Sequence, residues 1–395
     1  HSFPTRRSSD LSSEGVYSMQ GAATCVDNST GNVVAIVGSR SQEDIKGYVL
    51  NRAYQSYRQP GSCIKPLNVY TPYLQLGNTP DTKVTDSQID GGPANADASY
   101  AGEMTLTDAV KWSKNTVAWN IYQQITPKTG SSFLIKMGFH KIWVDKDYNA
   151  GALGGFTYGV TTEEMAGGYA ALANDGVYRK ATCIRLIVDA SNKTVVNETN
   201  RDSKVYDKSA SRMMTQMLRE VVLSGTGTSA NVENAVVAGK TGTTNASKDV
   251  WFCGYSKYYT TTVWAGYDYP KEMSGVNSRV NAIFKDFMTA VHTNLPVTDF
   301  STVTQQTTQP ETTAAVQEET ESLPQETTAI VPETTGIEQV TPQQVPSTTA
   351  QVPTTTPYQR WTTAPAQPKT TAPMQYGDID ATTRTDPDAT ARGEW

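Results

Sequence analysis

The sequence predicts an α+β fold, with helices packed against a five-stranded, mainly antiparallel sheet. Three observations carry that expectation. β-rich runs lie near both ends of the region from about Val16 to Asn294, helical periodicity fills its middle, and polar or glycine-containing turns bound the strands. Strands so distant in sequence share one sheet only if the intervening helices pack against it.

Gly21–Val26 and Val33–Val37 read as two strands, with Asp27-Asn28-Ser29-Thr30-Gly31 between them as a hairpin signal. Thr105–Ile125 is mostly helix-compatible. Thr161 and Glu164 make a capping box ahead of MAGGYAALAND, and Gly176 suits the end of that helix. Met213, Met214, Met217, Leu218, Val221 and Val222 share one helical face and read as core. Three further strands are expected in AVVAGKTGTT, VWFCGYS and TTTVWAGYD. The last helix is the clearest, because Val280, Ile283, Phe284, Phe287, Met288 and Val291 recur at i, i+3, i+4 and i+7.

The two ends read differently. HSFPTRRSSDL has no apolar stretch of the signal-peptide kind, and residues 1–12 are expected to be non-native or disordered, with the chain a piece of something longer. The folded domain is expected over 13–295. Over 296–395 the composition collapses to Thr, Pro, Gln, Glu, Ala and Val, which cannot bury enough apolar surface to offset ordering entropy, so a disordered tail is expected.

Composition also excludes function classes. The net charge is -6 with no basic stripe, so no nucleic-acid partner is expected. The 3 histidines, His1, His140 and His292, argue against a multi-histidine metal site. Any serine chemistry would then need a base other than histidine. The 4 cysteines, Cys25, Cys63, Cys183 and Cys253, lack a C-x-x-C pair, which excludes a zinc ribbon or a disulfide-dense scaffold. Four free thiols, or one bridge from Cys25 to Cys253, both stay open. No metal or cofactor is expected, and no apolar run is long enough to span a membrane.

Three segments could carry chemistry. RQPGSCIKP sets Ser62 and Lys65 three apart, which on a helix places both on one face beside unpaired N–H groups. KWSKNTVAWN contains Ser113 and Asn115, two apart. VAGKTGTTN sets Lys240, Thr241, Gly242, Thr243 and Thr244 at a strand end, where Gly242 would let a ligand approach closely. Each match alone is commonplace. The trio in this order is the signature shared by class A β-lactamases and penicillin-binding proteins, which carry S-D-N in the middle place.

The chain thus resembles the transpeptidase domain of a class A (bifunctional) penicillin-binding protein. NRAYQSYRQPGSCIKPL, ALGGFTYGVTTEEMAGGYAALANDG, SGTGTSA and KDVWFCGYS extend the resemblance almost continuously from Gly21 to Ala290. Cys63 and Ser39 depart from commoner residues without touching a motif side chain. The resemblance implies a five-stranded sheet between helix groups and a D,D-transpeptidase that acts on peptidoglycan stem peptides and is inhibited by β-lactams. It also implies an extracytoplasmic site at the outer face of the bacterial membrane. The family's membrane anchor and glycosyltransferase domain precede this region and are absent from it.

Carried onto these positions, the resemblance makes Ser62 the nucleophile and Lys65 its base, with repulsion from Lys240 lowering the pKa of Lys65. Ser113 would relay a proton, and Asn115 would hold the substrate amide. Lys240, Thr241 and Thr243 would recognise the terminal carboxylate, and the N–H groups of Ser62 and Thr243 would form an oxyanion hole. Thr244 would shape the strand edge. Serine β-lactamases and β-lactam sensors share the trio, but RQPGS and LGGFTYGVT favour the transpeptidase. A non-catalytic wall scaffold is the reading from a different class.

Overall fold

The computed structural model describes residues 17–40, 49–197 and 202–302. The segment 1–12 and the tail beyond 302 lie outside the described residues. Five strands form the central sheet: β1 (Met19–Asp27), β2 (Val33–Val37), β3 (Ala238–Thr243), β4 (Asp249–Tyr255) and β5 (Tyr259–Tyr267). Their order is β2-β1-β5-β4-β3, and every neighbouring pair is antiparallel. The N-terminal hairpin therefore joins the C-terminal three-strand meander, as the sequence led us to expect.

Strand alternation splits the core into two layers. Trp251, Cys253 and Tyr255 of β4 join a large cluster with the middle helices. Val250 and Phe252 turn the other way and meet the C-terminal helix. All seven residues of β4 are buried, since both faces of the strand are covered.

Among the described residues the helices of six residues or more are α1 (Leu106–Lys111), α2 (Asn115–Ile125), α3 (Pro127–Lys136), α4 (Thr162–Ala173), α5 (Lys208–Ser224) and α6 (Asn277–Val291). Helix α4 begins at the capping box: Thr161 Oγ1 accepts from the Glu164 N–H, and Glu164 accepts from the Thr161 N–H. Helix α5 buries Met214, Met217, Leu218, Val221 and Val222. Helix α6 buries Val280, Phe284 and Met288, but Ile283 faces solvent, so its apolar stripe is narrower than the periodicity suggests.

One expectation needs correction, and one open alternative closes. The helix read over Thr105–Ile125 is broken, because Ser113 adopts φ 59 and separates α1 from α2. Cys25 and Cys253 are free and buried, and β5 lies between their strands. Two strand spacings, about 10 Å, exceed what a disulfide spans. Residues 296–302, which follow the expected domain end, contact the domain. Tyr258 bonds to Pro296 and Thr298, Arg219 pairs with Asp299 at 2.7 Å, and Phe300 packs edge-on against Tyr255 at 5.5 Å.

Among the described residues, no helix is long and apolar enough to cross a membrane.

Candidate active site

Ser62 lies in a 3-10 turn, Gly61–Ile64, that runs through a π-helical turn (Pro66–Tyr70) into an α-helical turn (Thr71–Leu74). Pro66 has no N–H to offer the Ser62 carbonyl, which instead accepts from Lys65. A 3-10 turn nearly eclipses residues i and i+3, so Ser62 and Lys65 stack on one side. Among the described residues the Ser62 hydroxyl makes no hydrogen bond.

This turn rests directly on β3. A side chain at Gly61, itself at φ +51, would lie 2.8 Å from the Thr243 carbonyl. One at Gly242 would lie 2.5 Å from the Pro60 carbonyl and 2.7 Å from Cys63 Sγ. Close helix-to-strand packing, rather than ligand approach, therefore accounts for glycine at 242. Cys63 is fully buried and donates to the Lys240 carbonyl at 3.1 Å, while Tyr169 donates to the Cys63 carbonyl at 2.6 Å. The Trp251 indole holds Gln59, just before the turn, at 2.8 Å.

Lys65 Nζ donates to the Ser113 carbonyl at 2.9 Å, the Lys114 carbonyl at 3.4 Å and Asn115 Oδ1 at 2.7 Å. Lys240 Nζ donates to Ser113 Oγ at 2.8 Å and to the Thr241 carbonyl at 3.0 Å. The break between α1 and α2 makes this possible, since the left-handed Ser113 offers its carbonyl to one lysine and its hydroxyl to the other. Such a backbone on a non-glycine residue costs about 1–2 kcal/mol.

Both lysines are fully buried. Burial, and secondarily the nearby Lys240 charge, hold Lys65 well below its ordinary range. Burial likewise pushes Lys240 down to about 8. Lys–Lys repulsion, taken from the sequence as the cause for Lys65, is thus the smaller effect. Loss of water around the ammonium is the larger, and that depends on packing no motif displays.

Lys65, Ser113, Asn115 and Lys240 therefore converge on one hydrogen-bonded cluster beside Ser62. The threonine hydroxyls bond outside it, although the Thr241 carbonyl accepts from Lys240. Thr241 pairs with Thr226 at 2.8 Å, and Thr243 donates to Asn277 at 3.3 Å. Thr244 accepts from the Asp249 N–H at 2.9 Å, so its hydroxyl closes the β3–β4 turn. The Thr244 N–H donates to the Asp249 carbonyl. Ladder alternation then turns the Thr243 N–H away from β4, toward Gly61 and Ser62. Among the described residues, no group of three or more His, Cys, Asp or Glu could hold a metal ion.

An antiparallel sheet between helix groups thus carries Ser-x-x-Lys, Ser-x-Asn and Lys-Thr-Gly together beside its edge strand β3. Residues 21–289 match the family model of the penicillin binding protein transpeptidase domain, and the chain belongs to that family. It is 34% identical over 265 residues to penicillin-binding protein 4 of Bacillus subtilis, covering 66% of this chain and 42% of that protein. It is 36% identical over 298 residues to penicillin-binding protein 1A of Aquifex aeolicus, covering 71% and 39%. The chain thus spans less than half the length of these curated relatives. Among solved structures it resembles PonA1 of Mycobacterium tuberculosis in complex with penicillin V (TM-score 0.61, 22% identity, 72% of this chain and 81% of that one). It also resembles penicillin-binding protein 1A of Haemophilus influenzae (TM-score 0.59, 24% identity, 74% and 51%). These last two likenesses show the fold.

Proposed function

We propose that the domain is a peptidoglycan D,D-transpeptidase that works through an acyl-Ser62 intermediate, and that β-lactams inhibit it by acylating the same serine. The observation that carries this reading is the fully buried Lys65, one 3-10 turn after Ser62, whose nitrogen is held by the Ser113 carbonyl and Asn115 Oδ1. A neutral Lys65 amine has two N–H groups. The two nearest of its three acceptors, the Ser113 carbonyl and Asn115 Oδ1, take both, and the lone pair, no longer bound toward the more distant Lys114 carbonyl, is left for the Ser62 proton.

Ser62 Oγ attacks the carbonyl carbon of the penultimate D-Ala as its proton passes to Lys65 Nζ. The oxyanion forms against the N–H groups of Ser62 and Thr243. The amide C–N bond breaks, and the leaving D-Ala nitrogen takes a proton through Ser113 Oγ, which Lys240 resupplies. The amine of a second stem peptide then attacks the acyl carbon and passes its proton through Ser113 Oγ back to Lys240, while the Ser62 ester bond breaks and Ser62 regains its proton from Lys65. Lys240, Thr241 and Thr243 receive the substrate carboxylate, and Asn115 orients its amide. Extracytoplasmic action at the membrane's outer face, and an accompanying glycosyltransferase domain in the longer protein, belong to the same proposal.

Synthetic stem peptides test it. The wild type should release D-Ala from a D-Ala-D-Ala donor and join that donor to an amine acceptor, and Ser62→Ala should do neither. Equal turnover by both proteins would refute the assignment.

A further inference from the structure

The Ser-x-Asn segment is held by a loop that carries none of the motifs. Residues 87–101 connect two short paired strands, Lys83–Asp86 and Gly102–Thr105. Asn95 on this loop is 5% exposed. Its Nδ2 donates to Asp86 Oδ1 at 2.6 Å and to the Ser99 carbonyl at 2.8 Å. Its Oδ1 accepts from the Asn115 N–H at 2.7 Å and the Thr116 N–H at 3.3 Å. Those are the first two N–H groups of α2, which Lys114, the residue before the helix, leaves uncapped by its side chain. Asn95 therefore caps α2 from a separate loop.

The orientation of that amide is determined. The Asp86 carboxylate, fully buried, only accepts hydrogen bonds, so the Asn95 NH2 must face it and Oδ1 must face the helix. Asp86 is itself fixed by Thr116 Oγ1 at 2.5 Å, the Ala101 N–H at 2.9 Å and the Lys114 ammonium at 3.2 Å. The middle residue of Ser-x-Asn thus anchors the segment to the same carboxylate. The loop also accepts the Asn115 Nδ2 at the Ala94 carbonyl, 2.9 Å away, which leaves Asn115 Oδ1 aimed at Lys65.

We propose that Asn95, locked by Asp86, is a positioning residue for acylation that caps α2 and so sets Asn115 against Lys65. This rests on Lys65 activating Ser62, as proposed above. Asn95→Ala should slow the acylation step by about 10- to 100-fold, the scale of a sub-ångström misplacement. Because Asn95 acts through Asn115, the same substitution should remove nothing further from Asn115→Ala. The nearly isosteric Asn95→Asp, which sets a second carboxylate against Asp86, should slow acylation as well.

Equal losses in the wild-type and Asn115→Ala backgrounds would overturn the proposal, as would unchanged acylation in both Asn95 variants. Amide hydrogen exchange separates this proposal from the acyl-enzyme reading. If wild-type Ser62 takes no acyl group, that reading falls. Faster exchange at Asn115 and Thr116 in Asn95→Ala would still support the capping role, and unchanged exchange would overturn it.

Discussion

Gly242→Ala tests whether contact between the Ser62 turn and β3 sets the geometry of the nucleophile. The added methyl would lie 2.5 Å from the Pro60 carbonyl, 2.7 Å from Cys63 Sγ and 3.0 Å from the Cys63 nitrogen. Ordinary contact begins near 3.4 Å, so the turn must withdraw by about 0.9 Å. The thiol can rotate aside, but Pro60 and Cys63 bracket Ser62 and their backbones cannot. A shift of that size at a reacting atom costs roughly 100-fold in rate. Overpacking of this kind costs about 1–3 kcal/mol of stability. Stopped-flow acylation by a fluorescent penicillin, beside thermal unfolding, reads both. A variant that acylates at the wild-type rate with an unchanged melting temperature would refute the reasoning.

Acylation should follow a bell-shaped pH profile. Its rising limb falls well below the ordinary lysine range as Lys65 loses its proton, and its falling limb lies near 8 as the Lys240 ammonium is lost. A flat profile from pH 6 to 10, or a single rise centred near 10.5, would exclude this assignment. Lys240→Met should abolish most acylation yet raise unfolding stability at pH 7 by about 1 kcal/mol, since a buried ammonium is exchanged for an apolar chain. The sign follows from linkage: with a folded pKa near 8 against 10.5 unfolded, the wild type is penalised below pH 8 and relieved as pH rises, so the variant's advantage should shrink above pH 8. Phe300→Ala should lower stability by about 1–2 kcal/mol through lost packing on Tyr255. An unchanged melting temperature would mean that the segment after Leu295 does not support the domain.

Local signals made much of the fold legible. Thr161 and Glu164 announced a helix start because a capping box is satisfied within four residues. The α6 stripe is readable because its burial repeats with the helical period, and the strands because their β-branched and aromatic runs are bounded by turn residues. What escaped depended on contacts between distant segments. Nothing near Ser113 shows that two lysines will hold it in a left-handed conformation. Gly242 reads as room for a ligand until Pro60 and Cys63 occupy that room. Asn95 lies 20 residues before Asn115 in a loop without a motif, and no local pattern marks a side chain that caps someone else's helix. Phe300 stands at the edge of a low-complexity tail, where composition outweighed one aromatic with a partner on β4.

Intact-mass measurement after exposure to penicillin, with peptide mapping and a Ser62→Ala control, tests the acyl-serine chemistry most directly. The wild type should gain one penicilloyl group on the peptide containing Ser62 and hold it for hours, and the control should gain none. An adduct that forms and disappears within seconds would make the protein a β-lactamase. A folded wild type that gains no adduct, or gains it equally in Ser62→Ala, would contradict the acyl-enzyme mechanism.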